Sequence, residues 1–129
     1  MTLSKALAGV IGPTMLVLAI GVFLNRALLP GMIDHLEGDY ALFLIAGLLA
    51  LLGGLAVVRA HNVWKGWPAV ITVLGWLAIV GGVARVLFPT PIIGLARIAV
   101  AQGAAIPAAT AVVALVGLFL SYQGFARRA

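Results

Sequence analysis

Apolar residues run through this chain in long stretches separated by short polar ones. Four stretches carry no charged residue: Ala6–Asn25, Tyr40–Val58, Gly66–Ala84 and Ile98–Ala126. None alternates with period 2, as barrel strands would. Each is long enough for the roughly 20 residues that cross a bilayer as a helix. The pattern predicts an all-α membrane protein, a four-transmembrane-helix bundle in one domain, with spans at about 7–28, 40–59, 67–88 and 104–122. The third span is the clearest. Trp67–Phe88 reads WPAVITVLGWLAIVGGVARVLF, and as a helix it would be about 33 Å long, enough for a hydrocarbon core of about 30 Å.

Connectors follow from the breaks. Pro30-Gly31 is expected to stop the first helix, and MIDHLEG after it has the length for one turn on the surface. The second connector, RAHNVWKGWP, is short and makes the second and third spans an antiparallel pair. Pro68 suits the first turn of the third span. The last run is too long for one simple span. Gly103 and Pro107 divide it, giving a short interfacial helix at Ile92–Gln102 before the true span; one long kinked helix is the alternative.

Small residues recur at helical spacing along these spans, where they let backbones approach closely. Gly75, Ala78 and Gly82 line one face of the third span, with Arg85 at its far end. Gly12, Met15, Ala19, Val22 and Arg26 do so on the first, Ala46, Ala50 and Gly54 on the second, and Ala101, Ala104, Ala108 and Ala111 toward the fourth. Shifted by 59 residues, Leu18–Pro30 lies on Leu77–Pro89 with six of thirteen positions identical, Arg26 on Arg85 among them. Two readings stand: a duplicated pair of sequential helical hairpins, or the chance likeness of apolar sequences.

Composition removes whole classes of function. The chain is 64% hydrophobic and 9% charged, against about 25% charged in ordinary globular proteins. Lipid must therefore solvate most of its surface. The net charge is +5, but the cations are too few and too scattered for nucleic acid. They read instead as topology signals and contacts to anionic lipid. With both termini on the side of the second connector, that side holds Lys5, Arg59, Lys65, Arg127 and Arg128, and the other Arg26, Arg85, Arg97 and every acid. The positive-inside rule then puts both termini in the cytoplasm. The opening apolar run is longer than a signal peptide's and lacks its cleavage site, so it is expected to be a retained span.

Candidate chemistry is sparse. Arg26 and Arg85 sit about one turn from the ends of their spans. Three readings are open: they snorkel to the interface, they turn inward and pair with Asp34, Glu37 or Asp39, or they bind an anionic headgroup or solute. His61, Asn62, Trp64 and Trp67 form the most distinctive polar stretch. Tryptophans favour the membrane interface, and His61 and Asn62 are placed to cap the second span, or to touch a headgroup or a partner. Trp76 falls near the middle of its span; facing outward, it marks a surface for lipid or another protein. The chain has no cysteine and two histidines. His35 and His61 fall in connectors at opposite membrane faces, so a bis-histidyl haem is not expected. No metal set, paired carboxylates, catalytic triad or nucleotide loop is visible. The chain is expected to be no enzyme and to carry no cofactor.

HNVWKGWPAVITVLGWLAIVGG resembles the H-N-x-W…W…G-W pattern of small bacterial four-helix integral membrane proteins without an assigned function. The likeness covers the second and third spans. It implies four spans and a bacterial inner membrane, and it transfers no activity. The functions left are an accessory or self-assembling membrane subunit, or a small oligomeric channel or transporter for an anionic or apolar solute.

Overall fold

A computed structural model describes residues 3–126, and among these the chain is helical with short turns. The helices are α1 (Leu3–Leu24), α2 (Leu29–Glu37), α3 (Tyr40–Ala60), α4 (Ala69–Leu87), α5 (Pro89–Ala101) and α6 (Ala105–Phe125). Four of them, α1, α3, α4 and α6, are long and apolar enough to cross a membrane, and α5 is a shorter apolar helix before the last span. The chain is a multi-pass membrane protein.

Side chains take orphan carbonyls or amides at the end of α1 and the head of α3. The first span ends at Leu24, four residues short of the expected boundary at 28. Asn25 Nδ2 donates to the Gly21 carbonyl at 2.9 Å, and Arg26 Nη1 to the Phe23 carbonyl at 2.7 Å. These bonds close the helix before Pro30 is reached. Pro30 then stands in the first turn of α2 rather than stopping α1, a position where its missing N–H costs nothing. At the head of α3, Asp39 Oδ1 accepts from the Leu42 amide at 3.3 Å. The last run is divided as expected, with the break at residues 102–104 and Pro107 in the first turn of α6. The short helix starts at Pro89 rather than Ile92.

Two compact units are present, residues 30–98 and residues 3–29 with 99–126. Within the first unit α3 packs on α4, and within the second α1 packs on α6. Both pairs are antiparallel. In the α3–α4 pair Tyr40 meets Val86, Gly47 meets Gly82, and Gly54 meets Gly75. In the α1–α6 pair Gly9 meets Gly124 and Gly12 meets Gly117. The close pairs are thus second with third and first with last. Duplicated sequential hairpins would have grouped first with second and third with fourth; the units instead group second with third and first with last.

Each pair closes on small residues seven apart. Gly47 and Gly54 face Gly82 and Gly75; Gly12 and Ala19 run against Gly117 and Thr110. Seven residues are close to two turns, so such a row keeps facing its partner. A Cβ on Gly82 would lie 2.6 Å from the Gly47 carbonyl oxygen, and one on Gly124 would lie 2.4 Å from the Gly9 nitrogen. The backbones touch, and van der Waals contact with no side chain between is what joins helices in lipid. Of the expected seam residues, Gly54, Gly75 and Gly82 are buried, Ala50 and Ala78 half-buried. Ala46 is exposed, and Gly47 takes the place expected of it. Ala101, Ala104, Ala108 and Ala111 are exposed as well; the seam of α6 runs through Thr110, Gly117 and Leu120.

Candidate functional site

The polar stretch between α3 and α4 is organised by one hydroxyl. Thr72 lies one turn into α4 and is fully buried. Its Oγ1 accepts from the Val63 amide at 3.1 Å and lies 2.8 Å from the Val63 carbonyl and 3.2 Å from that of His61. The His61 ring, 2% exposed, places Nδ1 3.2 Å from the same oxygen. The connector is thereby tied back onto the helix it leads into. His61 does close α3, but through its backbone amide, which donates to the Val57 carbonyl at 2.7 Å; its ring goes to Thr72. Asn62 does not cap the helix either. Its Oδ1 accepts from Trp64 Nε1 at 2.8 Å. Trp64 is exposed, Trp67 half-buried, and Gly66 takes a left-handed turn with φ of 70°, a conformation that favours glycine.

A second cluster joins α2 to α5. Asp34 and Glu37 are three apart and share a face of α2. Arg97 of α5 reaches both: Nη1 lies 2.7 Å from Asp34 Oδ1, and Nε donates to Glu37 Oε2 at 2.9 Å, with Nη2 on the same oxygen. Hydrogen bonds to Asp34 and Glu37 raise the Arg97 pKa above its ordinary value. In the same unit the Tyr40 hydroxyl donates to the Val86 carbonyl at 2.7 Å, one of the carbonyls left open where α4 ends.

Arg85 pairs with none of the acids of its own unit, contrary to the inward-pairing reading; the ion pairs among the described residues are those of Arg97. Arg26 is exposed and lies over the Phe23 ring, 4.3 Å from its centre. Arg85 is half-buried in the last turn of α4. Its guanidinium turns back along its own helix, with Nη1 3.6 Å from where a Cβ on Gly81 would be. It therefore points away from the helix end, opposite to a snorkelling cation.

Within the spans, polar side chains are turned onto the backbone. Thr14 Oγ1 donates to the Val10 carbonyl at 2.7 Å, and Thr110 Oγ1 lies 2.9 Å from the Ile106 carbonyl. Ser121 Oγ is buried in the α1–α6 seam with no partner among the described residues. A Cβ on Gly12 would lie 2.7 Å from it, so no ligand fits there. No group of His, Asp and Glu that could hold a metal ion occurs among the described residues. The residues that sequence alone missed are Thr72, Gly47 and Arg97. Gly47 had a signal, its spacing of seven from Gly54, equal to that of Gly75 from Gly82. Comparison with family models, curated proteins and solved structures finds no match.

Proposed function

We propose that this chain is a non-catalytic membrane protein, acting as an accessory or structural subunit of a larger membrane complex or as a homo-oligomer. One observation carries the reading. The helices of each pair meet glycine to glycine, while only 11–22% of each span's most apolar window is buried. The remaining surface must be met by lipid or by other helices. Exposed Trp76, Leu77 and Val80 on α4 are suited to such contacts. Membrane-embedded partner faces are built from shape and packing, since lipid is as apolar as leucine. Extraction in mild detergent tests this directly. A particle heavier than the 13.3 kDa monomer with its detergent, holding further copies or other chains, is expected. A monodisperse monomer would contradict the proposal.

A second reading is a small channel or transporter for an anionic or apolar solute. Arg85 favours it: the residue is half-buried, its guanidinium is turned along the helix toward Gly81, and it has no ion pair among the described residues. Intramembrane cations commonly mark anion paths. Proteoliposomes decide between the two. A saturable anion flux lost in Arg85→Gln would establish transport, and no flux in the wild type would remove it.

The membrane is proposed to be a bacterial inner membrane with both termini cytoplasmic, on the distribution of Lys and Arg and the resemblance to small four-helix bacterial membrane proteins. Anionic lipids are the proposed surface partners of the cations. A cysteine introduced near either terminus should resist an impermeant thiol reagent in intact cells; ready labelling would invert the topology.

A further inference from the structure

The α1–α6 hairpin opens toward the end of α1. Below that point Gly12 and Gly117 bring the backbones together, and beside the Ala19–Thr110 contact the two helices leave a groove of about 280 Å³. Ala19, Ile20 and Phe23 form one wall, and Pro107, Ala111 and Ala114 the other. Nothing polar is offered inside. Thr110 lines the groove, but its hydroxyl is held by the Ile106 and Pro107 carbonyls at 2.9 and 3.0 Å. Pro107 has no N–H to present. The groove is small beside the roughly 300–1,000 Å³ of compact-ligand pockets, and it is open along its side. Those features suit a hydrocarbon chain.

A cation sits at the mouth. Phe23 is a wall of the groove, and the Arg26 guanidinium lies over its ring. The stack holds the charge where the apolar walls end. One N–H is used on the Phe23 carbonyl, and a guanidinium has five to give in a fork that matches phosphate. The acids of the chain have other partners: Asp34 and Glu37 are engaged with Arg97, and Asp39 accepts from the Leu42 amide.

The geometry points to a site for one anionic phospholipid, with an acyl chain in the α1–α6 groove and the phosphate on Arg26. This rests on the proposed affinity for anionic lipid and gives it a place. A neighbouring groove of about 190 Å³ on the other side of the Ala19–Thr110 contact is lined by Leu18, Val22, Ala109 and Val113 among others, with no cation in its wall. It is the internal control.

The test is native mass spectrometry of the full chain in detergent, with phosphatidylglycerol or phosphatidylcholine of the same acyl composition. The wild type should retain phosphatidylglycerol preferentially. Arg26→Gln should reduce that preference by about five-fold, the factor for one cation near a membrane surface. Ala111→Leu fills the groove and should lower retention of both lipids, while Ala109→Leu on the far side and Arg59→Gln leave the preference unchanged. Ala111 and Arg26 are exposed, so both variants should keep the wild-type melting temperature. A preference that survives Arg26→Gln would overturn this site alone, as would retention unaffected by Ala111→Leu. No preference in the wild type would overturn the wider anionic-lipid reading as well. Displacement of the lipid by inorganic phosphate would overturn the lipid assignment in favour of a free-anion site.

Discussion

At the scale of single residues, Thr72 and Arg97 hold the polar ends of the α3–α4 unit. Thr72→Val keeps the shape and removes the hydroxyl, leaving the Val63 amide short of a partner and taking one contact from the His61 ring. An unsatisfied buried group costs about 1–3 kcal/mol, so thermal unfolding in detergent should show a loss of that size, with Thr72→Ser largely restoring it. Arg97→Ala should speed protease cleavage around α2 more than Arg85→Ala does, because the ion pairs to Asp34 and Glu37 belong to Arg97. Added salt should diminish the difference, since exposed pairs are screened. Sequence alone places every acid in one connector and offers Arg26 and Arg85 as one of three readings for their partners. Arg97, expected at the headgroups, is the one that pairs, because α5 puts it opposite a face carrying two carboxylates. The polar stretch was legible as a structured loop, but its organiser was hidden. Threonine inside an apolar helix usually bonds its own backbone, as Thr14 and Thr110 do, and nothing local marks Thr72 as different.

At the scale of helices, the seams make a sharper demand than helix propensity does. Gly54→Val puts its side chain within 2.7 Å of the Gly75 carbonyl oxygen. Backbone cannot move aside as a flexible side chain can. Overpacking of this kind costs about 1–3 kcal/mol or more, and a lowered melting temperature with loss of α3–α4 contact is expected. Gly53→Ala is the matched control. A Cβ there meets nothing within 4 Å, and alanine is the better helix former, so stability should be unchanged or raised. Span positions were legible from length and hydropathy, and α3 and α4 fall within about two residues of expectation. Faces were less so. Ala46, Ala50 and Gly54 step by four, which drifts across a helix of 3.6 residues per turn. Gly47 and Gly54 step by seven and stay on the contact line. The end of α1 falls short of the expected proline stop because Asn25 and Arg26 close the helix first through the Gly21 and Phe23 carbonyls.

At the scale of the whole molecule, connector length foretold only one of the two close pairs. The short link between α3 and α4 required them to be antiparallel neighbours. The pairing of α1 with α6 joins opposite ends of the chain, and no local pattern announces it; the match between Leu18–Pro30 and Leu77–Pro89 suggested sequential hairpins instead. In the structure the two seams correspond at a shift of 63 residues, Gly12 with Gly75 and Ala19 with Gly82. That is one helical turn from the shift of 59 that aligns the sequences, so the likeness lies in which face carries small residues. Everything proposed for this protein, from its free apolar flanks to the lipid groove, depends on that pairing. The absence of cysteine from the chain makes it directly measurable by oxidative cross-linking in membranes. Cysteines at positions 9 and 124 should join rapidly, while cysteines at 9 and 110 should not, because Thr110 stands opposite Ala19 rather than Gly9. No joining of 9 to 124, or joining of 9 to 110 that is as efficient, would contradict the fold and the reading built on it.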